Sequence, residues 1–357
     1  MESYMSSSAG ISRRRFLKQS FAFSALASFA SLSHKAVALS NFGAATAQDA
    51  SAAEILMIGD WGYDSNHTGQ TAVAAAMRKY AQQHGLKPEA LFFLGDNWYG
   101  DLTGGAQSPR WQTQFEDLYP ASEFPGLAYA VLGNHDYQMA PADVNKVEAE
   151  LQYAHSGKSR FTMPGRWYRF QFPAKNPLIT FLALDSNMPE GDGAGGRKPG
   201  TDRRGFIVMT PEQKAEQLAW LEAELKKPRT TPYLAVLAHH PVYSDGPHGD
   251  HTTLIHDWDP LFRKYGVQLY LAGHDHDLQH LEFEGHPTSF FLSGGGGADL
   301  YNLKIQQSQR GPFANKVYGF SQLSVTKEKM TLRHMDSDGK LLHAFSKTPM
   351  GKVSIAS

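Results

Sequence analysis

The amino-acid sequence predicts an α/β fold, a four-layer αββα sandwich of two mixed sheets packed face to face and flanked by helices. Three features predict it. From Glu54 to Ala272, short apolar runs alternate with amphipathic helical stretches. From Ser289 to Phe345 the pattern is all strand. Five of the strands end alike, in a glycine or alanine followed by an acid, an amide or a histidine. With 357 residues, 41% of them hydrophobic, the chain is long enough to bury a large core. No linker interrupts residues 48–357, which read as one domain.

Ile55 to Ile58 reads as a core strand, and Thr68 to His84 as an Ala-rich helix closed by Gly85. Leu91-Phe92-Phe93-Leu94 is too short for a helix and is closed by Gly95, so it is a buried strand feeding a loop. An amphipathic segment from Arg110 to Leu118, a strand from Ala128 to Leu132, a helix from Val144 to Tyr153, and strands at Trp167–Phe172 and Leu178–Leu184 follow. Asn187 to Met209, rich in Gly, Pro and charge, is too long for a plain connector; it is either a disordered insertion or a loop with a role near the site. Thr210 then caps a helix to Lys227, with Pro211 at its first position. Tyr233–Ala238 is a strand, Thr252–Tyr265 a helix closed by Gly266, and Val267–Ala272 a strand. Ser289–Leu292, Gly319–Val325, Met330–His334 and Leu341–Phe345 complete the strands.

Residues 1–47 are of another kind. Ser12-Arg13-Arg14-Arg15-Phe16-Leu17-Lys18 resembles the twin-arginine export pattern, and an apolar stretch from Ser20 to Leu32 follows it. That stretch is too short and too rich in Ser for a stable membrane span. Ala36-Val37-Ala38 and Ala45-Thr46-Ala47 are the cleavage candidates. This segment reads as a signal peptide and linker, implying the twin-arginine export machinery as a partner and a periplasmic or secreted, folded product. Removing residues 1–38 takes away five Lys/Arg and one Glu, shifting the net charge from −1 to −5. Such a balance speaks against nucleic acid as a partner. The chain has 16 His and no Cys, so a bound metal must be held by His, Asp, Glu, Asn or Tyr.

The recurring strand ends are Ile58-Gly59-Asp60-Trp61-Gly62, Leu94-Gly95-Asp96-Asn97-Trp98-Tyr99, Leu132-Gly133-Asn134-His135-Asp136, Leu237-Ala238-His239 and Ala272-Gly273-His274-Asp275-His276. Carboxyl ends of strands are where open α/β sheets build their sites. One such turn is ordinarily structural; five in a chain without cysteine point to metal. Glycine before four of them fits a sharp turn that lets the backbone approach an ion closely. Two metals about 3.5 Å apart clamp an in-line displacement at phosphorus and need a bridging carboxylate. Asp96 is the natural bridge, because its loop also carries Tyr99. His274 and His276, at i and i+2, share a side in extended backbone, and each can take a different metal. Hard oxygen ligands at Asp60, Asp96 and Tyr99 suit a trivalent ion such as Fe(III); Asn134, His239 and a further imidazole suit a divalent Fe, Zn or Mn.

These five blocks, in this order from Glu54 to Phe345, resemble the purple acid phosphatases, dinuclear-metal members of the calcineurin-like metallophosphoesterases. The likeness is to the small, tartrate-resistant animal type, through Gly-Asp-Trp-Gly at 59–62, Phe115-Glu116-Asp117 and Gly-His-Asp-His-Asp-Leu-Gln at 273–279. Other metallophosphoesterases resemble Asp-x-His in the first block; here Gly62 stands in place of the imidazole, and the tyrosine that replaces it in the family pattern is Tyr99. The resemblance implies the calcineurin-like phosphoesterase fold. It places Asp60, Asp96, Tyr99 and His276 on Fe(III), and Asp96, Asn134, His239 and His274 on the divalent metal. His135 and His248 match the outer histidines that orient phosphate and protonate the leaving group, with His251 a local competitor for the second role.

The implied activity is hydrolysis of small phosphate monoesters at acidic pH, by a hydroxide generated at the metal pair. A phosphodiesterase or nucleotidase on the same scaffold is the alternative enzyme. A metal- or phosphate-binding protein without turnover and an iron redox protein are rivals of another class, and the scaffold alone does not choose among them. The chain departs from the animal pattern in His240, where Tyr is usual, in Tyr137, where His is usual, in its lack of cysteine, and in the sequence of the 187–209 insertion. The four glycines at 294–297 read as a tight turn near the site, since no Gly-Lys-Ser/Thr follows them.

Overall fold

The computed structural model describes residues 49, 51–63, 67–138, 144–188, 208–304 and 310–356. The export segment at 1–47 and most of the 187–209 insertion therefore lie outside the described residues. Along the chain the strands are β1 (Ala53–Ile58), β2 (Ala90–Phe93), β3 (Leu127–Ala130), β4 (Phe161–Thr162), β5 (Tyr168–Phe172), β6 (Ile179–Ala183), β7 (Tyr233–Leu237) and β8 (Leu269–Ala272). They continue as β9 (Leu278–Leu281), β10 (Ser289–Ser293), β11 (Phe313–Asn315), β12 (Gly319–Val325), β13 (Met330–Asp336), β14 (Leu341–Lys347) and β15 (Val353–Ala356). An eight-stranded sheet runs β15-β14-β13-β12-β1-β2-β3-β4, and a seven-stranded sheet β11-β9-β10-β8-β7-β6-β5.

Both sheets are mixed. β1, β2, β3 and β4 are parallel, with β12 antiparallel to β1; β6, β7, β8 and β10 are parallel, with β5 and β9 antiparallel at the flanks. Parallel strands covered on both faces read as unbroken apolar runs, and β1, β2, β6, β7 and β8 are buried at every position. The faces meet through aromatic rings: Phe92 of β2 stands edge-on to Phe181 of β6, centroids 4.9 Å apart.

Helices cover the outer faces. α1 (Thr68–Gln83) buries Val73, Met77 and Tyr80, and the Tyr80 hydroxyl donates to Gln322 of β12 at 2.8 Å. α2 (Lys146–His155) follows β3. α3 (Pro211–Leu225) has the expected Thr210 cap, completed into a capping box by Gln213. Its Gln217 clamps the backbone of Asp185 through two bonds of 2.8 Å. The helix expected from Thr252 to Tyr265 is two, α4 (Thr252–Asp257) and α5 (Asp259–Tyr265). Pro260 lies in the first turn of α5; lacking an N–H, it cannot continue a helix from α4. The amphipathic 110–118 segment winds as a π-helix over Trp111–Glu116, with Asp117 N–H reaching back five residues to Gln112 O. β4, β9, β11 and β15 were not expected: at two to four residues they are too short to show a hydrophobic period.

Away from the site, three buried histidines link β9, β13 and β14. His280 and His343 are hydrogen-bonded at 2.9 Å, His280 meets Glu282 at 2.8 Å, and His334 bonds Ser321 at 2.8 Å and Gln279 O at 3.1 Å. Phe291, Phe313 and Phe345 stack on these rings. Burial pushes His343 down to about 3 and His334 well below the usual imidazole range, and it lowers His280 against the pull of Glu282. Lys347 is held down to about 8 by burial, so it stays charged throughout acid conditions. The unfolded chain takes up protons on these imidazoles below about pH 6.5, whereas the folded chain resists until far lower, so their contribution is full above that pH and is lost on acidification. The unfolding temperature is expected to fall between pH 7 and pH 4.5. In His343→Gln, which keeps a polar partner for His280 but does not titrate, calorimetry should record a shallower fall.

Candidate metal centre

The loops after β1, β2, β3, β7 and β8 leave the carboxyl ends of parallel strands and meet at one edge of the two sheets. They carry Asp60; Asp96 and Tyr99; Asn134 and His135; His239; and His274 and His276 respectively. The structure gathers these side chains into two adjoining clusters. In the first, the Tyr99 hydroxyl lies 3.3 Å from Asp60 Oδ1, 2.9 Å from Asp96 Oδ2 and 3.1 Å from His276 Nε2. His276 Nε2 is also 3.4 Å from Asp60 Oδ1. In the second, His239 Nε2 lies 3.1 Å from Asn134 Oδ1 and 3.2 Å from His274 Nδ1. Asp96 belongs to both: Oδ2 faces Tyr99, and Oδ1 lies 3.4 Å from His239 Nε2.

The donor set fits metal ions. His239 Nδ1 donates to Leu94 O at 2.9 Å and His276 Nδ1 to Asp299 O at 2.6 Å, so both rings turn Nε2 toward neighbouring acceptors. Acceptors aimed at acceptors need positive charge between them. Burial opposes protonation of His239 and His276, yet Asp96 and Asp60 outweigh it, raising His239 and pushing His276 up to about 9. Burial, reinforced by His240, His239, His248 and His276, instead holds His274 well below the imidazole range and neutral, as a ligand requires. Burial also works to raise Asp96, but His239, His135 and Tyr99 bring its carboxyl below the usual range. Tyr99 is driven well above its ordinary value by burial, Asp96 and Asp60, so only a strongly charged cation would ionise the phenol there.

Backbone geometry explains the shared motif. Asp60, Asp96 and His274 hold φ of 59°, 51° and 72°, a region that costs a non-glycine residue free energy and that clusters at functional sites. His274 is therefore in a turn, and the expected extended backbone at 274–276 is corrected: the turn sends His274 to one cluster and His276 to the other. The glycines also serve differently from expectation. A Cβ at Gly133 would collide with Asp96 N and Oδ1; one at Gly95 would lie 2.5 Å from His239 Nδ1, and one at Gly273 2.6 Å from Asp60 Oδ2. They make room for the neighbouring ligand loop, not for an ion. The 294–297 turn follows suit, since side chains at Gly294 and Gly296 would strike Asp275 O and Gly59 O.

Two partly exposed histidines flank the clusters. The His135 ring lies 4.1 Å from that of Tyr99, and burial lowers its pKa. The His248 ring lies 4.2 Å from that of His274, with Nδ1 2.7 Å from Asp275 Oδ1. His251, the competitor, is the N-cap of α4, where its ring accepts from Leu254 N–H. Tyr137 donates its hydroxyl to buried Asp185.

Sequence reasoning missed Asp136 and Asp275. Asp136 pins the second and third loops together by accepting from Gly133 N at 2.7 Å, Trp98 N at 2.8 Å and Asn97 N at 3.1 Å; burial and Asp96 push it up to about 6. Asp275 receives Ser244 as well as His248. Their only sequence signal was a place inside a ligand block.

A family model for calcineurin-like phosphoesterases matches residues 53–278. The chain belongs to that family. Within it the chain falls among the purple acid phosphatases: it is 30% identical over 305 residues to tartrate-resistant acid phosphatase type 5 of Oryctolagus cuniculus, covering 80% of this chain and 87% of the relative. It is likewise 30% identical over 298 residues to purple acid phosphatase 7 of Arabidopsis thaliana, covering 82% and 84%. Among solved structures, a purple acid phosphatase from yellow lupin seeds superposes with a TM-score of 0.60 at 17% identity, covering 84% of this chain and 54% of that one. The anchor in the inner membrane complex of Plasmodium superposes with a TM-score of 0.65 at 18% identity, covering 82% and 87%. Both share the fold.

Proposed function

We propose that the chain is an acid phosphatase that hydrolyses small phosphate monoesters with an Fe(III)–M(II) pair, M being Fe, Zn or Mn. The observation that carries this reading is Asp96, whose two carboxylate oxygens face the two clusters separately. Asp60, Tyr99 and His276 complete an oxygen-rich set for the trivalent ion, and Asn134, His239 and His274 an imidazole-rich set for the divalent one. When bound, the pair polarises the phosphate and lowers the pKa of water so that it serves as nucleophile.

The remaining work falls to side chains. His239 and His276 are held in one tautomer by Leu94 O and Asp299 O. His135 stands beside Tyr99 and His248 beside His274, where each reaches a phosphoryl oxygen or the leaving alkoxide. Asp275 accepts from His248 Nδ1 and thereby presents Nε2 to substrate. Residues 1–47 serve as a twin-arginine signal, 48–357 as the catalytic domain, and the mature protein acts in the periplasm or outside the cell. No helix among the described residues is long and apolar enough to cross a membrane.

The test is a visible absorption spectrum of the purified protein, with metal analysis on the same sample. A phenolate on Fe(III) gives a charge-transfer band that colours the protein pink or purple. The band is expected in the wild type and absent in Tyr99→Phe with iron retained. A colourless wild type holding two divalent ions would overturn the trivalent assignment.

A further inference from the structure

The second cluster holds one imidazole more than the ligand set above uses: the ligating nitrogens of His239, His240 and His274 all lie within 4.8 Å of one another. The His240 ring centroid is 4.3 Å from that of His274 and 5.0 Å from that of His239. Its position is fixed by Ser186, whose Oγ lies 2.8 Å from His240 N and 2.8 Å from His240 Nδ1. A hydroxyl oxygen has two lone pairs. In the tautomer in which Ser186 accepts both the backbone N–H and the Nδ1–H, Nε2 of His240 is the unprotonated nitrogen. Backbone carbonyls, which can only accept, fix that tautomer at His239 and His276. Tyr270, whose hydroxyl donates to His240 O at 2.6 Å, anchors the same residue from β8.

We propose that His240 is a third imidazole ligand of the divalent metal, beside His239 and His274. The proposal rests on the dinuclear reading given above. Donor atoms on one ion at about 2.1 Å stand at most about 4.2 Å apart, so the ring lies within a small side-chain adjustment of coordination. With Asn134 and Asp96, five protein donors would surround the divalent ion and leave one position of an octahedron for phosphate or water. An imidazole-rich site favours Zn(II) and Fe(II) over Mn(II) and Mg(II). The His240 position thereby sets which divalent ion the centre retains.

The full-length protein, carrying iron in the first site, is loaded with zinc in the second, and the zinc-edge X-ray absorption fine structure is recorded, which reads the zinc shell alone. Three imidazoles per zinc are expected in the wild type and two in His240→Phe. In that variant, chelator competition should show zinc affinity lowered about 10- to 100-fold, and manganese affinity lowered less. Ser186→Ala, which keeps the imidazole but removes its hydroxyl partner, should show a smaller loss of zinc affinity. Two imidazoles per zinc in the wild type overturn the proposal whether or not either variant folds. Failure of the wild type to bind zinc or any second metal instead overturns the dinuclear reading.

Discussion

Asp96→Ala is expected to lose both metals and the phosphatase activity in one step. Asp96 is 1% exposed, spans the two clusters, and accepts the His135 amide at 2.8 Å. With Asp96 as the proposed bridge, its removal strips each metal of a ligand and unties the third loop from the second. A metal pair contributes several kcal/mol to charge stabilisation at phosphorus, and each 1.4 kcal/mol is tenfold in rate. Activity should therefore fall by more than about a thousandfold, with metal analysis showing a matching loss. Fully metallated, active Asp96→Ala protein would remove Asp96 from the bridging role.

Gly133→Ala should be nearly as damaging although it touches no ligand chemistry. The added methyl would occupy the space of Asp96 N and Oδ1, and neither can yield without moving the bridging carboxylate. Overpacking of this kind costs about 1–3 kcal/mol and shifts backbone. The variant is expected to fold with a lower unfolding temperature, to hold substoichiometric metal and to lose most of its activity. Gly165→Ala is the control, since its Cβ would meet only Trp167 O at 3.4 Å. Equal metal content in the two variants would show that the close approach at Gly133 is dispensable.

The sequence made the gathering of the candidate ligands legible because they stand at strand ends. A run such as Leu91–Leu94 declares a buried parallel strand, and a parallel strand delivers its next residues to the same edge as its neighbours. The pairing of Asp60 and Tyr99 across 39 positions followed from the block pattern alone, and the phenol lies 3.3 Å from the carboxylate. What sequence could not convey was which groups touch across loops. His240 looked like a mere departure from pattern, because its neighbours, Ser186 and His274, are brought to it by other strands. The glycines were assigned to the ion because nothing in a sequence reveals that loop packs on loop. The break at Trp258 and the π-helical turn at 111–116 turn on one proline and on aromatic packing around Trp111, which periodicity does not register.

The candidate ligands divide between the sheets: Asp60, Asp96, Tyr99 and Asn134 follow strands of the eight-stranded sheet, and His239, His274 and His276 strands of the seven-stranded one. A chain still being synthesised, with nothing beyond residue 273, possesses no complete cluster, and its first sheet still lacks β12, β13, β14 and β15. Neither candidate cluster can be complete before the last histidines have been made and the strands that follow them have closed the eight-stranded sheet.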